Sequence, residues 1–310
     1  MLQVSDVQLA QGRLADYLSP TTLEQAPDLG ANVFLKLENT NKTHSFKVRG
    51  ALNAVIDLDN DVRERGIVAA SSGNHAQGVA LAAYVMNTPA TILMPRNTPR
   101  KKVNGVLRYG AEAALFGDNY DETEAEALRL VAEEGLTYIS PYNDKQVMAG
   151  AGTVGLEILS QLPDVEQVIV CVSGGGLIGG IATAIKSLNP SCTVIGVCAE
   201  AAPSMYNAFY GTEKPENWNT LAEALSGGIE DGSMTVPIVK KYVDDILLVS
   251  EEQIAAAMRF MLSKQGWLVE GGGSVGIAAA MHGMLDLEKV TAIVVSGGNV
   301  DLDNLRQILC

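Results

Sequence analysis

Basic residues are scarce in this chain of 310 residues. There are 22 Lys and Arg against 36 Asp and Glu, a net charge of -14, and no basic block anywhere. A nucleic-acid surface needs clustered cations to neutralise phosphates, so nucleic acid is excluded as a partner. Long apolar runs are lacking too. No segment approaches the roughly 20 uninterrupted apolar residues of a membrane span. The start, MLQVSDVQLAQGRL, has no basic patch followed by an apolar stretch, so no membrane partner and a cytoplasmic location are expected. The four cysteines, Cys171, Cys192, Cys198 and Cys310, are too sparse and irregular for a disulfide framework or a paired Cys-X-X-Cys metal site, and they fit a reducing compartment.

Glycine and aliphatic residues are abundant, with 31 glycines and 47% hydrophobic residues, the balance of an Ala/Val/Gly-rich α/β protein with about two domains. Short apolar runs read as strands covered on both faces: NVFLKLE (32–38), GIVAAS (66–71), PATILMP (89–95), EAALFG (112–117), EQVIVCVS (166–173), CTVIGVCAE (192–200) and KVTAIVVSGG (289–298). Helix signals alternate with them. NHAQGVALAAYVM follows Asn74 as N-cap, DETEAEALRLVAEEG ends at Gly135, and SEEQIAAAMRFMLSKQG runs from Ser250 towards Gly266. The alternation predicts two open, twisted, parallel-rich sheets flanked by helices. Residues 1–65 and 144–310 are expected to form a large domain and 66–143 a small one.

VIVCVSGGGLIGGIATAIK carries a strand into Ser173, Gly174, Gly175 and Gly176 and then into a helix. Glycines let backbone approach a ligand, and first-turn N–H groups suit a phosphate, although a tight, closely packed turn would use the same residues. Gly174, Gly176 and Gly179 also satisfy G-x-G-x-x-G, with Glu200 ending the next strand as a ribose acid would, so a dinucleotide-dependent oxidoreductase is one reading. No Gly-Lys-Ser/Thr follows, which excludes a Walker loop. Lys47, beside Phe46 in NKTHSFKVRG, is either a snorkelling surface residue or an amine whose charge is disfavoured by burial, able to form a Schiff base. The second reading gains weight from three polar loops that each follow an apolar strand. They are SSGNHAQG, the glycine loop and SGGNVD with Ser296. In parallel sheets such loops converge on one crevice at the carboxyl ends of the strands.

An amine, a phosphate cradle, carboxylate donors and a hydroxyl suit pyridoxal phosphate and an amino acid. With LKLENTNKTHSFKVRGALNAV, AASSGNHAQGVALAA, AGAGTVGLEIL, SGGGLIGG, YVDDILLVSEEQI and VVSGGNVD in this order, the chain resembles the fold-type II pyridoxal-phosphate enzymes (the tryptophan synthase β-like fold) of the serine/threonine dehydratase and serine racemase family. The resemblance implies that Lys47 bonds the cofactor and that Phe46 packs on its ring. Asn74 would meet the ring's 3-oxygen, and Ser173, Gly174, Gly175, Gly176 and Leu177 its phosphate. It further implies that Ser296 faces the pyridine nitrogen and that Ser71, Ser72, Gly73, Asn74 and His75 surround the substrate carboxylate. A homodimer or homotetramer is expected.

Those roles imply β-elimination of a 3-hydroxy amino acid, threonine or serine, to a 2-oxo acid and ammonia. Lys47 would act as base, and a neutral Ser296 would leave the pyridine nitrogen unprotonated. Ser72, matching the second acid of the racemases, keeps serine racemisation open as an alternative, beside a non-catalytic carrier of the cofactor. Several residues depart from the family pattern. His44, Ala76 and Ala224 stand where glycine is common, Ala151 replaces a glutamine, and EGGGSVG (270–276) is unusually glycine-rich. Such changes admit hydroxyaspartate, phenylserine or a hydroxyectoine-derived compound as substrate. Cys198 and Ser204, at the place where metal-dependent members carry carboxylates, predict no metal there. The chain's end soon after SGGNVD predicts no C-terminal amino-acid-sensing domain.

Overall fold

A computed structural model describes residues 1–309; Cys310, one of the four cysteines, lies outside the described residues. Among the described residues ten strands form two sheets: β1 (Leu23–Gln25), β2 (Val33–Leu37), β3 (Ile67–Ala70), β4 (Ala90–Met94), β5 (Glu112–Leu115), β6 (Thr137–Tyr138), β7 (Gln167–Cys171), β8 (Thr193–Ala199), β9 (Asp245–Val249) and β10 (Thr291–Val295). All seven strands expected from the apolar runs are among them. β1 and β6 are two to three residues long, too short to show a pattern, and β9 is flanked by acids.

The six-stranded sheet has the order β1-β2-β10-β7-β8-β9 and the four-stranded sheet β5-β4-β3-β6. Every pairing is parallel except β1 with β2. Parallel strands need crossovers with a helix on the sheet face, which covers both faces; β3, β7 and β10 are accordingly buried at every position.

The helices begin and end where side chains satisfy their free backbone groups. Ser250 accepts from Gln253 N while Gln253 reaches back to Ser250 N, and the helix Tyr120–Glu134 runs from Asn119 to Gly135 in left-handed geometry. The helix Asn74–Met86 differs from expectation. Its N-cap is Gly73, and Asn74 is the first helical residue, its side chain turned elsewhere. Val48, Ala51, Leu52 and Val55 of the helix Lys47–Asp57 are buried in the same core as Ile67, Ala69 and Ile92 of the four-stranded sheet. That helix therefore sits at the seam between the sheets.

Directly behind its first turn lies a buried charge cluster. Arg49 donates from Nε and Nη2 to Glu38 (both 2.8 Å) and from Nη1 and Nη2 to Glu157 (2.6 and 2.9 Å), and Lys36 Nζ adds a contact to Glu157 at 2.6 Å. Burial pushes the Glu38 carboxyl up, but Arg49 outweighs it and holds the group below its usual range. Two cations balance two carboxylates, which is the condition for burying such charges.

Candidate active site

The carboxyl ends of β3, β7 and β10 open into one cavity of about 1070 Å³. Three polar loops line it: Ser71–His75 after β3, Ser173–Leu177 after β7, and Ser296 with Asn299 after β10. Lys47 and Phe46 join them because the helix Lys47–Asp57 starts at the seam. Every residue named for the cofactor and the substrate thus borders a single cavity, whereas Gly179 does not line it and Glu200 is exposed and outside it, so the dinucleotide reading loses its third glycine and its ribose acid.

Lys47 Nζ donates to the Pro141 carbonyl at 2.6 Å and lies 5.2 Å from the centroid of the Phe46 ring. Burial lowers its pKa to about 8, against smaller upward pulls from Cys171 and Glu270, so far more of it is neutral amine near neutral pH than of an ordinary lysine. His75 is fixed in a different way. Its Nε2 sits 2.8 Å from the Ile139 carbonyl, which requires the proton on Nε2, and burial with the nearby Lys47 lowers its pKa to about 3. It is neutral and organises the loop; it is no base.

Gly175 caps the helix Gly176–Leu188 at φ +88° with no side-chain capping bond, so the first-turn N–H groups are not capped by a side chain. Packing demands the flanking glycines as well. A Cβ on Gly174 would lie 2.6 Å from the Tyr142 ring and one on Gly176 2.9 Å from Tyr142 Cα. Gly179 has no such constraint, whereas Gly180 lies against the Met148 carbonyl, where a side chain would collide. The close-packing reading of this loop is met, and the same geometry leaves room for an anion at the helix end.

Ser296 is buried at the end of β10, and its carbonyl accepts from Phe46 N at 3.0 Å, tying the loop before Lys47 to β10. His44 has φ +54°, the left-handed region in which glycine is easiest, which explains the residue expected there.

Glu270 and Asn299, which lie in EGGGSVG and SGGNVD but were given no role of their own from the sequence, also line the cavity. Glu270 is 8% exposed, and burial raises its carboxyl pKa to about 7. It accepts from Asn74 Nδ2 at 2.7 Å and from Asn299 N at 3.2 Å. The available signal was an isolated acid between the apolar WLV and the glycine-rich start of a helix.

Residues 14–297 match the family model for "Pyridoxal-phosphate dependent enzyme". The chain belongs to this family. It is 44% identical to an L-threonine ammonia-lyase of Thermotoga maritima, covering 100% of this chain and 78% of that protein. It is 41% identical to the catabolic L-threonine dehydratase TdcB of Staphylococcus aureus, covering 100% and 92%. Maize serine racemase superposes with a TM-score of 0.92 at 35% identity, over 99% of this chain and 97% of the other. The fold is therefore the fold-type II pyridoxal-phosphate architecture.

The residues present fit the cofactor. Lys47 supplies an amine of lowered pKa, the open helix end at Gly175–Leu177 supplies N–H donors for a phosphate, and neutral Ser296 suits an uncharged ring nitrogen. Among the described residues no group of three or more His, Cys, Asp or Glu is placed to hold a metal ion. Cys198 is fully buried in β8, a small hydrophobe in its packing.

Proposed function

We propose that this family member is an ammonia-lyase that eliminates water from threonine or serine, the released enamine then taking up a water to give 2-oxobutanoate or pyruvate with ammonia. The observation that carries this reading is the juxtaposition in one cavity of a desolvated Lys47 amine, an open helix end and a hydroxyl, rather than a carboxylate, at the end of β10. Bound pyridoxal phosphate supplies the electron sink for negative charge developing at the substrate Cα. The chain's own groups do the rest. The amides and hydroxyls of Ser71, Ser72, Gly73, Asn74 and His75 hold the substrate carboxylate at the positive end of the helix Asn74–Met86. Lys47, as a neutral amine, takes the Cα proton. Ser296, a neutral hydroxyl, does not hold the ring nitrogen protonated as a carboxylate would, so the electron pair freed at Cα expels the β-hydroxyl, which leaves as water with the proton that Lys47 took.

The charge of the cavity lining disfavours a substrate with a second carboxylate. Asp121, Glu124, Glu223, Glu230 and Asp301 line the cavity against Lys101, Lys102 and Arg108, a net negative lining that disfavours hydroxyaspartate relative to threonine.

The test is a panel of 3-hydroxy amino acids assayed for 2-oxo acid release, with chiral analysis of unreacted serine and Lys47→Ala as control. Rapid release from threonine or serine, lost in Lys47→Ala, is expected. Full activity in Lys47→Ala sinks the mechanism, and inversion of serine without 2-oxo acid makes the chain a racemase. A cytoplasmic homodimer or homotetramer is the assembly consistent with this reading; light scattering on the purified holoenzyme checks it.

A further inference from the structure

Glu270 occupies the N-cap of the helix Gly271–Met281, yet its side chain makes no capping bond there. It turns across the cleft to Asn74 instead. Glu270 Oε1 accepts from Asn74 Nδ2 at 2.7 Å, while Asn74 Oδ1 accepts from Asn299 Nδ2 at 2.7 Å. Asn299 is fixed in turn. Its Nδ2 also donates to the Thr43 carbonyl at 2.8 Å and its backbone N–H to Glu270 Oε2 at 3.2 Å. A side-chain amide oxygen only accepts and its nitrogen only donates, so these contacts decide which end of the Asn74 amide faces which neighbour, and one Asn74 N–H is left over. Backbone shape is committed to the same arrangement, because any Cβ on Gly297 would strike Glu270 Oε1.

We propose that Glu270 and Asn299 are positioning residues that lock the Asn74 amide so that its remaining N–H is offered to the ring oxygen of bound pyridoxal phosphate. This rests on the reading above, in which Asn74 meets the ring. Without the lock the amide can turn over and present its oxygen, repelling the ring oxygen where a donor should stabilise it. The lock also spans the cleft, since Asn74 follows β3 of one sheet while Asn299 follows β10 of the other.

The experiment uses holoenzyme and reads the absorbance of the bound cofactor across pH without substrate, then kcat and KM. In Glu270→Gln the new amide places a donor against either Asn74 Nδ2 or Asn299 N. The absorbance midpoint is expected to shift from wild type, and kcat to fall about tenfold with KM nearly constant, the scale of one buried unmade hydrogen bond. Asn299→Ala, which keeps the carboxylate, is expected to shift the midpoint in the same direction and decides the matter should Glu270→Gln fail to fold. In an Asn74→Ala background Glu270→Gln adds no further shift. A wild-type midpoint in both variants, an equal shift in the Asn74→Ala background, or no effect of Asn74→Ala itself overturns the proposal. Absorbance is read without turnover, so a wild type that holds the cofactor but releases no 2-oxo acid counts against the proposed reaction and not against the lock.

Discussion

Cofactor capture should report the state of Lys47 directly. Only the neutral amine attacks an aldehyde, and a pKa of about 8 makes about 9% of Lys47 neutral at pH 7 and about 91% at pH 9. The rate at which apoenzyme takes up pyridoxal phosphate should therefore rise about tenfold over that interval and level off. An ordinary lysine of pKa about 10.5 would gain about a hundredfold over the same range with no plateau. Stopped-flow absorbance of apoenzyme with excess cofactor measures this, and Nα-acetyl-lysine in the same buffers removes the cofactor's own titration. The sign for stability follows from the same shift. Between about pH 8 and the usual lysine value the folded amine has lost a proton that the unfolded one retains, so apoenzyme stability rises with pH there. A unit-slope rise through pH 9 without levelling would show that Lys47 is hydrated and refute the premise of the mechanism.

Two further outcomes follow from the packing. Gly175→Ala forces a non-glycine residue to φ +88° with its Cβ 2.6 Å from Met205 Cε. Isothermal titration should show cofactor binding weakened about tenfold or more, because strain of about 1–3 kcal/mol falls on the turn that presents the N–H donors. Arg49→Met leaves Glu38 and Glu157 facing only Lys36, and urea unfolding of the apoenzyme should lose about 3–5 kcal/mol, a large part of a typical domain's stability. The deficit should narrow at lower pH as the stranded carboxyls take up protons.

Runs such as VIVC and AIVV are apolar at every position, as strands of parallel sheets tend to be where helices cover both faces; such apolar runs located β2, β3, β4, β5, β7, β8 and β10. Order within the sheets is another matter. β2 lies beside β10, some 250 residues on, and no local pattern specifies a neighbour so distant. Lys47, Asn74, Gly175 and Ser296 were legible because each stands in a short motif whose chemistry is unusual for its surroundings. Glu270 was not, since an acid before glycines reads as an ordinary helix start and its purpose lies in a side chain 196 positions away. The sequence by itself determined which groups the cleft contains. Tertiary structure decided their states, because the lowered pKa of Lys47, the fixed tautomer of His75 and the orientation of the Asn74 amide all arise from burial and from partners brought together only when the two sheets meet.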